Sequence, residues 1–351
     1  MKPLAKTILG AAVLAFAAGA GIPTAAPAAN VEGPDVFWKW SVWGNPRAFT
    51  AGAEHLAKRV AEETDGKFKI QIFYGEQLTK SKENLDAIKN NAVEAAFFCN
   101  FYHPGKNPAF MVFALPFIPL GDFEVSAYVR NKMFEHPALV ADLEQWNAIG
   151  YGSTLLPQYE FLGIGKPPLK LSDWKGLRVR AGGGLGDAME VLGASKQTVP
   201  ASEVYTLMQR GAVDAVSFPY TYSHASYRIH ELADWFTANM QPGSSECPMV
   251  LNKTAYDALP PQYQELIMGL KDEVTQVLID AYHESDAKNL PMFEELMTKI
   301  VYDEETLAEF REVAGQPVWD KWVEDNKDLF DAQDVLDSVW KLIEEAESKG
   351  M

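Results

Sequence analysis

The chain has 351 residues, 48 of them acidic and 31 basic, for a formal charge of −17 at neutral pH. So acidic a surface repels nucleic acid and anionic lipid, which excludes both as partners, and any anion site must then work through local geometry. The length suits two domains better than one, and with 47% apolar residues the core is ample.

Residues 1–29 read as a secretory signal peptide. Lys2 and Lys6 form a basic start, residues 8–20 are apolar, and Ala26-Pro27-Ala28 offers small residues for cleavage. The run is too short and wrongly flanked for a membrane span, and no cysteine follows it to carry a lipid anchor. Cleavage removes two lysines and no acid, taking the charge from −17 to −19. The mature chain is expected in a periplasm, as a monomer.

In the mature chain, residues 36–40 predict a strand, and the turn at 41–46 leads into a helix with Phe49, Ala53, Leu56 and Val60 on one face, stopped by Asp65-Gly66. Residues 68–73 alternate as a strand, Leu85 and Ile88 mark a helix, and 93–98 is a short apolar strand. This βαβαβ order predicts an open parallel sheet. The pattern restarts with strands at 151–156, 162–164, 177–180 and 213–218, and helices at 186–192 and 202–210. After Pro260-Pro261 a helical register runs to about residue 289, where Pro291 is expected to interrupt it. A helix of nearly thirty residues is about 40 Å long, enough to lie across two lobes. The remainder is acidic amphipathic helix. Cys99 and Cys247 are the only cysteines, read as buried small hydrophobes, a disulfide being the alternative that an oxidising compartment allows. The six histidines lack ligand spacing, and neither metal nor cofactor is expected.

The densest signal is Trp174-Lys175-Gly176-Leu177-Arg178-Val179-Arg180 followed by Gly182-Gly183-Gly184. A strand ending in arginine beside the bare amides of a helix start makes an anion site, for a phosphate, a sulfonate or a carboxylate. No G-x-G-x-x-G spacing, phosphate-loop lysine or G-x-S-x-G elbow accompanies it, which argues against an exported enzyme.

These stretches, together with residues 66–73, 113–117, 203–215 and 252–261, resemble the DctP-type solute-binding proteins of TRAP transporters over about residues 36–330. The resemblance implies a type II-like periplasmic-binding-protein fold: lobe I at 30–157 plus about 246–285, lobe II at 158–245 plus about 286–330, and a C-terminal helix at 331–351. It implies a small organic acid as ligand, handed to one small and one large integral membrane subunit. It also implies that Arg180 meets the ligand carboxylate while Arg178 faces outward. Where many members carry a second arginine this chain has Glu160, and Ser217 stands where metal-binding members pair a glutamate with a glutamine near Gln158.

The expected cleft is therefore aromatic. Trp40, Trp43, Phe101, Tyr159, Phe218 and Tyr220, with Tyr102 and Tyr222, fall at or after strand ends, where such folds bind ligands. Asn100 offers a polar contact or is a turn residue. Glu83 serves a helix start or reaches the ligand, and Glu160 meets a ligand cation or sits on a solvated rim. One arginine among rings suits an aromatic or bulky monocarboxylate, or a betaine-like zwitterion with its cation in an aromatic cage.

Overall fold

A computed structural model describes residues 31–351, so the expected signal peptide lies outside the described residues. The chain forms a two-lobed α/β fold built on two sheets. The first contains β1 (Val36–Ser41), β2 (Phe68–Phe73), β3 (Ala95–Phe97), β4 (Ala148–Gly152) and β10 (Met249–Asn252), in the order β2-β1-β3-β10-β4. β1 runs parallel to β2 and β3, and β10 runs antiparallel to both β3 and β4. The second contains β5 (Tyr159–Gly163), β6 (Arg178–Arg180), β7 (Ser195–Gln197), β8 (Ala215–Pro219), β9 (Trp235–Thr237) and β11 (Thr298–Ile300), in the order β11-β9-β5-β8-β6-β7. The chain crosses between the sheets at residues 153–158 and again at 238–248.

The helix pair Pro261–Gly269 and Lys271–Leu296 lies along both lobes. The longer member touches the helix Ala51–Glu63 and β4 on one side, and the helix Tyr222–Ser226 and β11 on the other. The expected interruption at Pro291 does not occur: the proline sits inside the helix. Proline forfeits one helical hydrogen bond, but Phe293, two residues on, is fully buried against Phe236, and that packing carries the helix past the gap.

The cysteines also depart from expectation, because Cys99 and Cys247 are joined by a disulfide. The cause is strand register. β3 and β10 pair with Phe97 opposite Met249, and continuing that antiparallel register by two residues brings Cys99 opposite Cys247. A bond closing so long a stretch of chain, 148 residues, constrains the unfolded state strongly.

Candidate ligand cavity between the lobes

The carboxyl ends of the strands from both sheets converge on a cavity of about 30 Å³, a few times the space one water needs on the same measure. Lobe II contributes Arg180 at the end of β6, together with Phe218 and Pro219 from β8 and Tyr222, Ser223 and Tyr227 beyond it. Lobe I contributes Trp43, Arg47 and Phe49 from the segment after β1, and Phe101 and Tyr102 after β3. Tyr159 and the disulfide line the side nearest the crossings.

Arg180 is 1% exposed. Its Nε and Nη2 donate to the Val199 carbonyl at 3.2 and 2.9 Å, and Nη1 donates to the Ser217 carbonyl at 2.9 Å. Phe218 and Phe101 cover the guanidinium, with ring centroids 4.6 and 5.4 Å away. A guanidinium has five N–H donors, and three are engaged here, leaving one on each Nη. No carboxylate among the described residues forms an ion pair with it. A buried cation without an anion is expensive, and its two spare donors form a fork that matches a carboxylate.

The glycine corner explains how Phe101 comes so close. A Cβ on Gly182 would stand 2.3 Å from the Phe101 ring, and one on Gly184 would stand 2.7 Å from the Ala114 carbonyl oxygen. The bare backbone of lobe II thus seats directly on lobe I, and no nucleotide is needed to account for the glycines.

The phenols around Arg180 are donors. Burial pushes the Tyr102 hydroxyl up to about 12 against the opposing pull of Arg180, and raises Tyr159, Tyr222 and Tyr227 for the same main reason. Tyr102 Oη already accepts from the Ala201 N–H at 2.7 Å, which leaves its proton to give. No aspartate or glutamate lines the cavity.

Of the residues singled out from sequence, Arg180, Trp43, Phe101, Tyr102, Tyr159, Phe218 and Tyr222 meet in this cavity. Arg178 is exposed, and its Nε donates to Asp214 at 2.9 Å; that guanidinium holds the Asp214 carboxyl below its usual range. The other six lie elsewhere. Trp40 is core, packed against Phe97. Asn100 is a buried brace, donating to the Phe110 carbonyl and accepting from the Phe101 N–H and Ser245. Glu83 is exposed at the start of the helix Asn84–Lys89. Tyr220 stacks on Phe236.

Gln158 faces a separate groove with Ile118 and Asn239. Glu160 is neither rim nor cavity. It is 1% exposed and accepts from Thr237 and from the Met240 and Gln241 N–H groups at 3.2 and 3.1 Å, and burial pushes its carboxyl up to about 7. Sequence reading missed Arg47 and Tyr227. Arg47 ends the Gly44-Asn45-Pro46 turn after β1, a strand-end loop of the same kind as the others, and its position there was the available signal.

The sequence profile of the bacterial extracellular solute-binding protein family 7, DctP, matches residues 41–326. The chain belongs to this family. These are TRAP-type periplasmic solute-binding proteins, ligand carriers and not enzymes. A monocarboxylate 2-oxoacid-binding periplasmic protein of Nostoc is 28% identical over 323 residues, covering 85% of this chain and 86% of that one. The fold is shared with a TRAP solute-binding protein of Rhodoferax ferrireducens solved with copurified benzoate, at a TM-score of 0.80, 20% identity, and coverage of 90% of this chain and 100% of that one. It is shared too with a marine metagenome TRAP protein specific for aromatic acid ligands, solved with metahydroxyphenylacetate, at a TM-score of 0.76, 19% identity, and coverage of 89% and 99%.

Proposed function

We propose that this DctP-family protein captures a small aromatic or bulky organic acid between its lobes, with the carboxylate on Arg180, and delivers it to the two integral membrane subunits of a TRAP transporter. Export by the signal peptide at 1–29 would put the mature protein in the periplasm, where it acts as a monomer. The observation that carries the reading is the buried Arg180 guanidinium with two unused donors and no acid beside it. Ring walls from Trp43, Phe101 and Phe218 support a flat ligand body. The benzoate and metahydroxyphenylacetate held by the structural relatives, and the 2-oxoacid bound by the Nostoc relative, are all carboxylates.

The betaine-like alternative loses support, because two guanidiniums and no carboxylate line the cavity. The test is titration calorimetry with benzoates, phenylacetates and 2-oxo acids after a thermal-shift screen. Arg180→Ala is expected to weaken the best ligand at least roughly tenfold, and Arg180→Lys to recover little of it, since lysine lacks the planar fork. Near-unchanged affinity in Arg180→Ala would sink the assignment.

A further inference from the structure

Resting on the reading that Arg180 takes a carboxylate, we infer that Arg47 and Tyr227 form a second acceptor subsite. It selects acids that carry a further oxygen (a ring hydroxyl, an oxo group or a second carboxylate) away from the first.

Three observations meet at this end of the cavity. Arg47 Nε is buried and has no hydrogen-bond partner, although the Trp43 and Asn45 carbonyls fix the same guanidinium by accepting from Nη1 at 3.0 and 2.8 Å. Tyr227 Oη is likewise buried without an acceptor. The indole beside it, Trp43, is only a donor, so the phenol proton stays unclaimed. The backbone is bare where the two approach: a Cβ on Gly44, at φ +68°, would stand 2.5 Å from Tyr227 Oη and 2.9 Å from Arg47 Nη1. Two buried donors crowded against a glycine, with no acceptor supplied by the protein, call for an oxygen from the ligand.

Charge points the same way. The two guanidiniums lie against the two members of one stacked pair, Arg180 over Phe218 and Arg47 over Tyr227, at 4.6 and 5.5 Å. Neither has an acid partner among the described residues, and no acid lines the cavity. A ligand that ends in a cation would meet Arg47 with nothing to balance it. One that ends in an oxygen would receive the Nε–H and the phenol O–H together.

Calorimetry at pH 7.5 with benzoate, the three hydroxybenzoates and glycine betaine tests the subsite. At least one hydroxybenzoate should bind roughly tenfold or more tighter than benzoate, because a site built to hydrogen-bond a hydroxyl rejects the analogue without it; betaine should give no heat. Arg47→Gln and, separately, Tyr227→Phe should each weaken that hydroxybenzoate several-fold more than benzoate and so remove most of the difference, with thermal melts confirming that both variants fold. Equal affinity for benzoate and all three isomers, or variants that weaken benzoate as much as its hydroxylated form, would overturn the subsite while leaving Arg180 in place. Failure of every acid to bind, or indifference to Arg180→Ala, would instead remove the reading on which it rests.

Discussion

Arg130 and Arg180 are buried to the same degree, 0% and 1% exposed, and differ in what surrounds them. Arg130 rides on the helix Phe123–Met133, whose start is capped by the Asp122 carboxylate accepting from the Glu124 and Val125 N–H groups. Its guanidinium pairs with Glu246, and also donates to the Ser245 carbonyl at 2.9 Å and to Ser126 Oγ at 3.0 Å. Glu246 further accepts from Ser153. That charge is balanced inside the protein, and it ties a lobe I helix to both crossing segments. Arg180 has only carbonyls. The same side chain at the same burial is a brace where the protein supplies the anion, and a receptor where it does not.

The largest expected effect tests the brace. Arg130→Met and Glu246→Gln should each cost about 3–5 kcal/mol in urea unfolding, since each strands a buried charge. Arg180→Met, which strands no acid, should leave the unliganded stability within about 1 kcal/mol. Equal losses at Arg130 and Arg180 would break the comparison.

Next comes the disulfide, which anchors the residue beside Glu246. Replacing both Cys99 and Cys247 with alanine should cost about 2–4 kcal/mol. Because bond and ion pair hold one segment, that loss should shrink in the Arg130→Met background, as a double-mutant cycle would show. A strictly additive cycle would mean that the two restrain the crossing independently.

Ligand affinity sharpens the other side. The tenfold or greater loss expected for Arg180→Ala should have no counterpart in Arg130→Met measured below its unfolding temperature. Matching losses would make Arg180 an indirect support.

The last effect is a pH dependence. Burial raises the Glu160 carboxyl from 4.5 to about 7, so the folded state holds a proton that the unfolded state has lost across that window. Stability from this group is full below about pH 4.5 and is lost as pH rises through about 7. The difference in melting temperature between the wild type and Glu160→Gln should therefore fall over that range. A constant difference would mean that Glu160 does not titrate there.

Much of this was legible because strand-end loops announce themselves locally. Arg180, Trp43, Phe101 and Phe218 each follow from a short pattern plus the rule that α/β sheets bind at their carboxyl ends, and Tyr159, the first residue of β5, from its place at the crossing. What failed needed partners distant in sequence. Glu160 is satisfied by residues 237–241, the disulfide depends on β3 meeting β10, and the burial of Trp40 depends on Phe97. Arg47 was hidden differently. Its turn looked like a lead-in to a helix, and nothing nearby revealed that Tyr227, 180 positions on, would face it.

The seat of Phe101 on the bare Gly182 backbone makes the shut molecule a short-range latch. Dispersion falls steeply with separation, and a gap of about 1 Å already forfeits up to half of the contact. A half-closed molecule would therefore keep little of what a fully shut one gains, so closure would act as a switch and not as a gradient.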